Sequence, residues 1–156
     1  MAKVIKSINN IIHIFLLLLM VALVVAVFCQ ILFRFALDQP LAWTEELSRY
    51  CLIWITFLGA AYALSQRAHI GMELFVDRAR GMVKVIMLIL GAIVSFVFFF
   101  IMIKEGIVLS KQVMGQPSPV LQIPMGIVYA VIPISGAILM LNLLDVTIQQ
   151  IKEEVK

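Results

Sequence analysis

Charge is what this sequence has least of. Only 13% of its 156 residues are Asp, Glu, Lys or Arg, against about 25% in ordinary soluble domains. A chain that is 63% hydrophobic, with a mean hydropathy of +1.11, could not cover its own surface in water. It would expose apolar patches well beyond those that soluble monomers tolerate. Soluble enzymes, nucleic-acid binders and disordered tails are therefore excluded as classes. Cysteine is equally scarce, with two residues, Cys29 and Cys51. They are too few for a disulfide scaffold and lack the spacing of a metal site. The only histidines are His13 and His69. No Gly-rich phosphate loop and no nucleophile–base pair is present, so nothing points to an enzyme, a metal or a cofactor.

What is present is long apolar runs. Ile11–Phe33, Tyr50–Gln66, Val85–Ile103 and Gln112–Leu144 carry no formal charge. About 20 helical residues cross a hydrocarbon core some 30 Å thick. The runs are continuously apolar, without the alternation of barrel strands. The fold class is an all-α integral membrane protein, one domain over 1–156, with four spans at about 11–34, 49–66, 83–105 and 123–146. The first span is too long for a signal core, and Phe28 is too bulky before Cys29 for a lipoprotein site, so it is expected to be retained.

Eight of the twelve Lys and Arg residues fall in the N-terminal tail, the 67–84 connection and the C-terminal tail. The positive-inside rule then puts both termini in the cytoplasm. The net charge of +3 is a topology signal spread along the chain and forms no nucleic-acid patch. Cys29 and Cys51 would both lie near the outer face, where a disulfide between spans one and two is conceivable; they read first as packed thiols.

An amphipathic segment over about 40–49 precedes span two. Trp43, Leu47, Tyr50 and Trp54 recur at helical spacing as one stripe. Trp43, Tyr50 and Trp54 are expected at headgroup level, in contact with membrane lipid. Glu45 and Glu46 lie off the stripe, and Glu45 stands four residues before Arg49 in the favoured orientation for an ion pair. The segment either lies along the interface and turns into span two or extends it outward. Gly59 with Ala63, and Gly91 with Ser95, form small-xxx-small pairs suited to close helix approach. Met72, Phe75, Val76 and Ala79 suggest a second interfacial helix over about 71–80. Pro117 and Pro119 end a helix, Gln122 and Pro124 open span four, and Pro133 should kink or loosen it. No span holds an Asp, Glu, Lys or Arg in its deep interior, the usual mark of an ion pathway.

Two segments resemble a known family. Trp43-Thr44-Glu45-Glu46-Leu47-Ser48-Arg49-Tyr50, followed by Trp54, Phe57, Gly59-Ala60-Ala61, Ala63 and His69-Ile70, is similar to the small permease subunit of TRAP (tripartite ATP-independent periplasmic) transporters. So is Ser118-Pro119-Val120-Leu121-Gln122-Ile123-Pro124-Met125 with Tyr129 and Ile132-Pro133. Met125 departs from the pattern, since many members carry an aromatic there. The resemblance implies a bacterial inner-membrane protein working with two partners. One is a soluble periplasmic substrate-binding protein that delivers a carboxylate-bearing solute. The other is a large membrane subunit that holds the solute and sodium sites and moves like an elevator. The small subunit would be a non-catalytic scaffold for the static part of the large one and help dock the binding protein. On this reading Glu45, Glu46 and Arg49 hold the outer helix in register or pair with the large subunit. Gly59, Ala63, Gly91 and Ser95 are close-contact points, and Gln122, Pro124, Tyr129 and Pro133 shape the last helix. Two rival readings are a self-sufficient homo-oligomeric carrier or channel, and a haem-bearing anchor using His13 and His69; a Soret band distinguishes the latter.

Overall fold

The computed structural model describes residues 2–39, 41–66 and 82–154. Long helices account for nearly all of it. They are α1 (Ala2–Ala36), α2 (Ala42–Ser65), α3 (Met82–Gln112), the short α4 (Met125–Tyr129) and α5 (Val131–Glu154). Four stretches are long and apolar enough to cross a membrane, the last being α4 and α5 taken together. This is the all-α, four-span architecture read from hydropathy. At 1.5 Å per residue α1 is about 52 Å long and overshoots the hydrocarbon core. The predicted 71–80 interfacial helix lies outside the described residues.

The amphipathic segment before span two extends it. Nothing between Ala42 and Ser65 breaks a helix, since the stretch holds no proline and its one glycine is Gly59. The Ser48 hydroxyl donates to the Thr44 carbonyl at 2.7 Å, inside the continuous ladder. Thr44 itself is fully buried and donates to the Leu41 carbonyl at 2.7 Å, closing the first turn. The turn between α1 and α2 places Asp38 at φ 55°, a left-handed conformation that Asp tolerates better than most residues.

Pro133 acts one turn upstream of itself. It has no N–H to give the Tyr129 carbonyl, and its ring crowds that position. The helix is interrupted there: Ala130 closes α4 by donating to Gly126 and Ile127, and Ile134 resumes the ladder by donating to Ala130. The expected loosening of span four is thus a break at Ala130.

The helices form an open row. α1 packs on α2, α2 on α5, and α5 on α3, while α3 touches neither α1 nor α2 at the backbone level. One buried cluster joins Ile12, Leu58 and Val131 across α1, α2 and α5. A second joins Ala61, Leu64, Phe99, Leu139 and Leu143 across α2, α3 and α5. Ile138 packs against both. The α3–α5 seam is tight because of glycine. A Cβ on Gly106 would meet the Pro133 ring at 2.8 Å, and one on Gly136 would meet Ile103 at 2.9 Å. Gly126 faces the Ser110 carbonyl and Met114 as closely, and the Ser110 hydroxyl donates to the Gly126 carbonyl at 2.7 Å. Large apolar side chains along α1 and α3 remain exposed, among them Val24, Phe28, Val94 and Phe98, as surfaces facing lipid or another membrane protein require.

Candidate functional site

Two polar knots tie this apolar row together, one near each end. The first is centred on Glu46. This side chain, read with Glu45 as lying off the aromatic stripe, is only 6% exposed. One carboxylate oxygen accepts the backbone N–H groups of Val120 and Leu121, at 2.9 and 3.0 Å. The other accepts the Tyr50 hydroxyl, one turn along the same helix. The carboxylate thus caps a loop 74 residues away in sequence.

That loop is braced on its own account. The Ser118 N–H donates to the Ile123 carbonyl at 2.9 Å, and the Ile123 N–H donates back to the Ser118 hydroxyl at 3.1 Å. Pro117 and Pro124 face each other as an antiparallel bridge, with the Met125 N–H on the Gln116 carbonyl at 2.9 Å. Gln122 sits at φ 55°, and its side-chain amide donates to the Pro119 carbonyl at 3.2 Å. The short connection is therefore a fixed shape.

The second knot joins three helices through Asn9 and Asn142, 7% and 1% exposed. Each amide donates to the other's oxygen, at 2.9 and 3.1 Å. Asn142 also donates to the Ala61 carbonyl at 2.8 Å. Residue patterning missed both: Asn142 is a single Asn in an apolar run and shows no periodicity, and Asn9 stands beside Asn10 ahead of the first predicted span, where a polar residue draws no notice.

The expected site residues divide between these knots and the surface. Glu45 and Arg49 form the expected ion pair at 3.0 Å, with both side chains about two-thirds exposed. Trp43 is exposed. Trp54 is half-buried and meets Phe15 edge-on, with ring centroids 5.9 Å apart. Tyr50 departs from the expected lipid contact: its ring is buried and its hydroxyl serves Glu46. Among the described residues a Cβ on Gly59 would meet nothing within 4 Å, so it is not a close-contact point between them. Ala63, Gly91 and Ser95 are half-buried. Gln122 and Pro124 frame the braced loop, with Pro124 preceding the first turn of α4, and Tyr129 and Pro133 flank the break. Cys51 is buried, Cys29 is half-buried, and both are free thiols. His13 stacks on Tyr62, their rings 5.2 Å apart, and His69 lies outside the described residues. Among the described residues no cluster of His, Cys, Asp and Glu could hold a metal ion.

The arrangement binds helix to helix and loop to helix; among the described residues it assembles no reactive group. Residues 23–153 match the family described as tripartite ATP-independent periplasmic transporters, DctQ component. The chain belongs to this family. It is a small permease component of TRAP transporters, with four helices fit to cross the inner membrane. A TRAP transporter small permease protein of Haemophilus influenzae is 24% identical over 153 residues, covering 96% of this chain and 95% of that protein. The ectoine TRAP transporter small permease protein TeaB of Halomonas elongata is 34% identical over 103 residues, 65% of this chain and 53% of that one. The isethionate TRAP transporter permease protein DctMQ of Oleidesulfovibrio alaskensis is 30% identical over 105 residues. That match takes in 66% of this chain but only 16% of the relative, in which the matching unit is part of a much longer polypeptide.

Proposed function

We propose that this chain is the stationary small subunit of a sodium-coupled, binding-protein-dependent transporter for an organic acid of the C4-dicarboxylate or sialic acid type. It scaffolds a large elevator subunit, helps dock the periplasmic binding protein, performs no covalent chemistry, and has both termini in the cytoplasm. The observation that carries the reading is where its inward polar groups are engaged. Glu46 is committed to Tyr50 and the 120–121 backbone, and Asn9 and Asn142 to each other and to Ala61. Groups fixed in this way hold helices together, whereas an ion or solute pathway needs polar groups that exchange partners. The fusion of the matching unit to a longer permease in one relative supports a large membrane partner. Under positive-inside orientation the Glu46-capped loop and the Glu45–Arg49 pair face the periplasm, where a binding protein would meet them.

Reconstitution tests this. Vesicles containing only this chain accumulate no solute under a sodium gradient, and vesicles that also contain the large subunit and binding protein do. Sodium-driven accumulation by this chain alone would overturn the scaffold reading.

A further inference from the structure

The braced loop ends on a methionine that touches the Glu46 knot. The Met125 sulfur stands 3.4 Å from the Tyr50 hydroxyl oxygen, and that hydroxyl is the one that serves Glu46. A phenol has one hydrogen to give, and a thioether is a weak acceptor, so the carboxylate keeps it. An oxygen atom added to the sulfur changes this contest, because oxidation turns an apolar side chain into a polar one. The backbone around Met125 has no room to retreat. Its N–H is held on the Gln116 carbonyl at 2.9 Å, and the next carbonyl, of Gly126, takes the Ser110 hydroxyl at 2.7 Å. Gly126 also lies tight against the Ser110 carbonyl and Met114. The new oxygen therefore either draws the Tyr50 hydrogen away from Glu46 or stays half-buried without a donor, at a desolvation cost. Either way the join between α2 and the 117–124 loop loosens.

Position makes Met125 reachable. It is half-buried and is the first residue of the fourth membrane-crossing stretch, so it lies at the edge of the apolar belt, beside exposed Pro124 and Ile127. Other methionines are placed differently. Met20 projects from the middle of the first apolar run, where hydrocarbon shields it from a water-borne oxidant. Met102 and Met140 pack against the cluster between α2, α3 and α5. Met114 is 47% exposed and lies against Gly126, which makes it an internal control for reactivity. We propose that Met125 is an oxidation site whose sulfoxide loosens the loop held by Glu46. A peroxide is the oxidant. The sulfur lone pair takes one oxygen atom, the peroxide O–O bond breaks, the thioether becomes a sulfoxide and water leaves. A sulfoxide reductase reverses the step: a dithiol gives two electrons and becomes a disulfide, and the oxygen departs as water. That the oxidant arrives from the periplasm rests on the orientation proposed above.

The full chain in detergent is treated with hydrogen peroxide, and peptide mass spectrometry finds one added oxygen atom on Met125. Subtilisin cleavage within 117–123 of the oxidised chain then speeds up about three- to ten-fold, the change in open population that the loss of one hydrogen bond brings. Methionine sulfoxide reductases with dithiothreitol restore the original rate. In a Met114→Leu background the speeding persists. Adding Met125→Leu, a volume-conserving change, abolishes it, although Cys29 and Cys51 stay free to react in both variants. Met125 left unmodified while Met114 is oxidised overturns the proposal, as does equal speeding in the double variant. On the unaltered chain, a cleavage rate unmoved by Met125 oxidation, or not restored by reduction, overturns it without any substitution. Detergent leaves both ends of the chain in water, so these results do not depend on orientation. Orientation has its own arm: a membrane-impermeant thiol reagent labels Gln116→Cys on intact spheroplasts, and absence of labelling overturns the periplasmic setting alone.

Discussion

Glu46 and Asn142 use their polar atoms in different ways, and substitutions separate them. The Glu46 carboxylate accepts from three donors, two of them backbone N–H groups. Glu46→Gln keeps the size but turns one acceptor into a donor, which must face either Tyr50 or the 120–121 backbone. The expected outcome is faster proteolytic cleavage within 117–123 at unchanged helical content, read by limited proteolysis and circular dichroism. Asn142→Leu leaves Asn9 buried without its partner. Hydrogen bonds between membrane helices average about 0.6 kcal/mol, and an orphaned polar group costs about 1–3 kcal/mol. We expect a loss of about 1–2 kcal/mol in a denaturant titration in detergent, partly restored when Asn9→Leu is added. By contrast Glu45 and Arg49 are exposed, and Glu45→Gln changes stability by less than about 0.5 kcal/mol in the same titration.

At the scale of elements, the close-packed glycines and the proline break make distinct claims. Gly136→Val drives a branched side chain into Ile103 and Met102 and costs about 1–3 kcal/mol by overpacking; Gly59→Val, with open space at its Cβ, does not destabilise the isolated chain. Pro133→Ala restores the N–H that the Tyr129 carbonyl lacks, and slower hydrogen exchange over 129–134 is the expected sign that α4 and α5 have joined. Helix existence was legible from hydropathy because spans of this length depend on local composition. The Glu45–Arg49 pair was legible because its partners are one turn apart. The site was less so. Spacing singled out Gly59 and Ala63, yet the tight seam uses Gly106, Gly126 and Gly136, since which helix face meets a neighbour is a tertiary fact. The partners of Glu46 and of Asn9 lie 74 and 133 residues away, beyond the reach of any helical periodicity.

For the molecule as a whole, an open row with exposed flanks in α1 and α3 holds its shape through few points. The two apolar clusters, the two knots and the glycine seam hold α1, α2, α5 and α3 without a closed bundle. Assembly with a larger partner would then depend on surface groups that the fold itself does not use. Arg49 is one: its side chain is about two-thirds exposed and, among the described residues, paired only within its own helix. Arg49→Ala is expected to reduce recovery of the intact complex more than Lys111→Ala does, as measured by co-purification with the large subunit; equal recovery would deny Arg49 a role at the interface.

The Glu46 cap also governs which mutations the loop tolerates. Because it reads main-chain amides at 120 and 121, it is blind to what Val120 and Leu121 carry as side chains. In a saturation scan both positions should accept polar, charged and aromatic replacements alike and reject proline, the one residue with no amide hydrogen to offer. Position 46 should show the opposite tolerance profile. The exterior of this turn can therefore diversify freely among descendants while its shape is inherited.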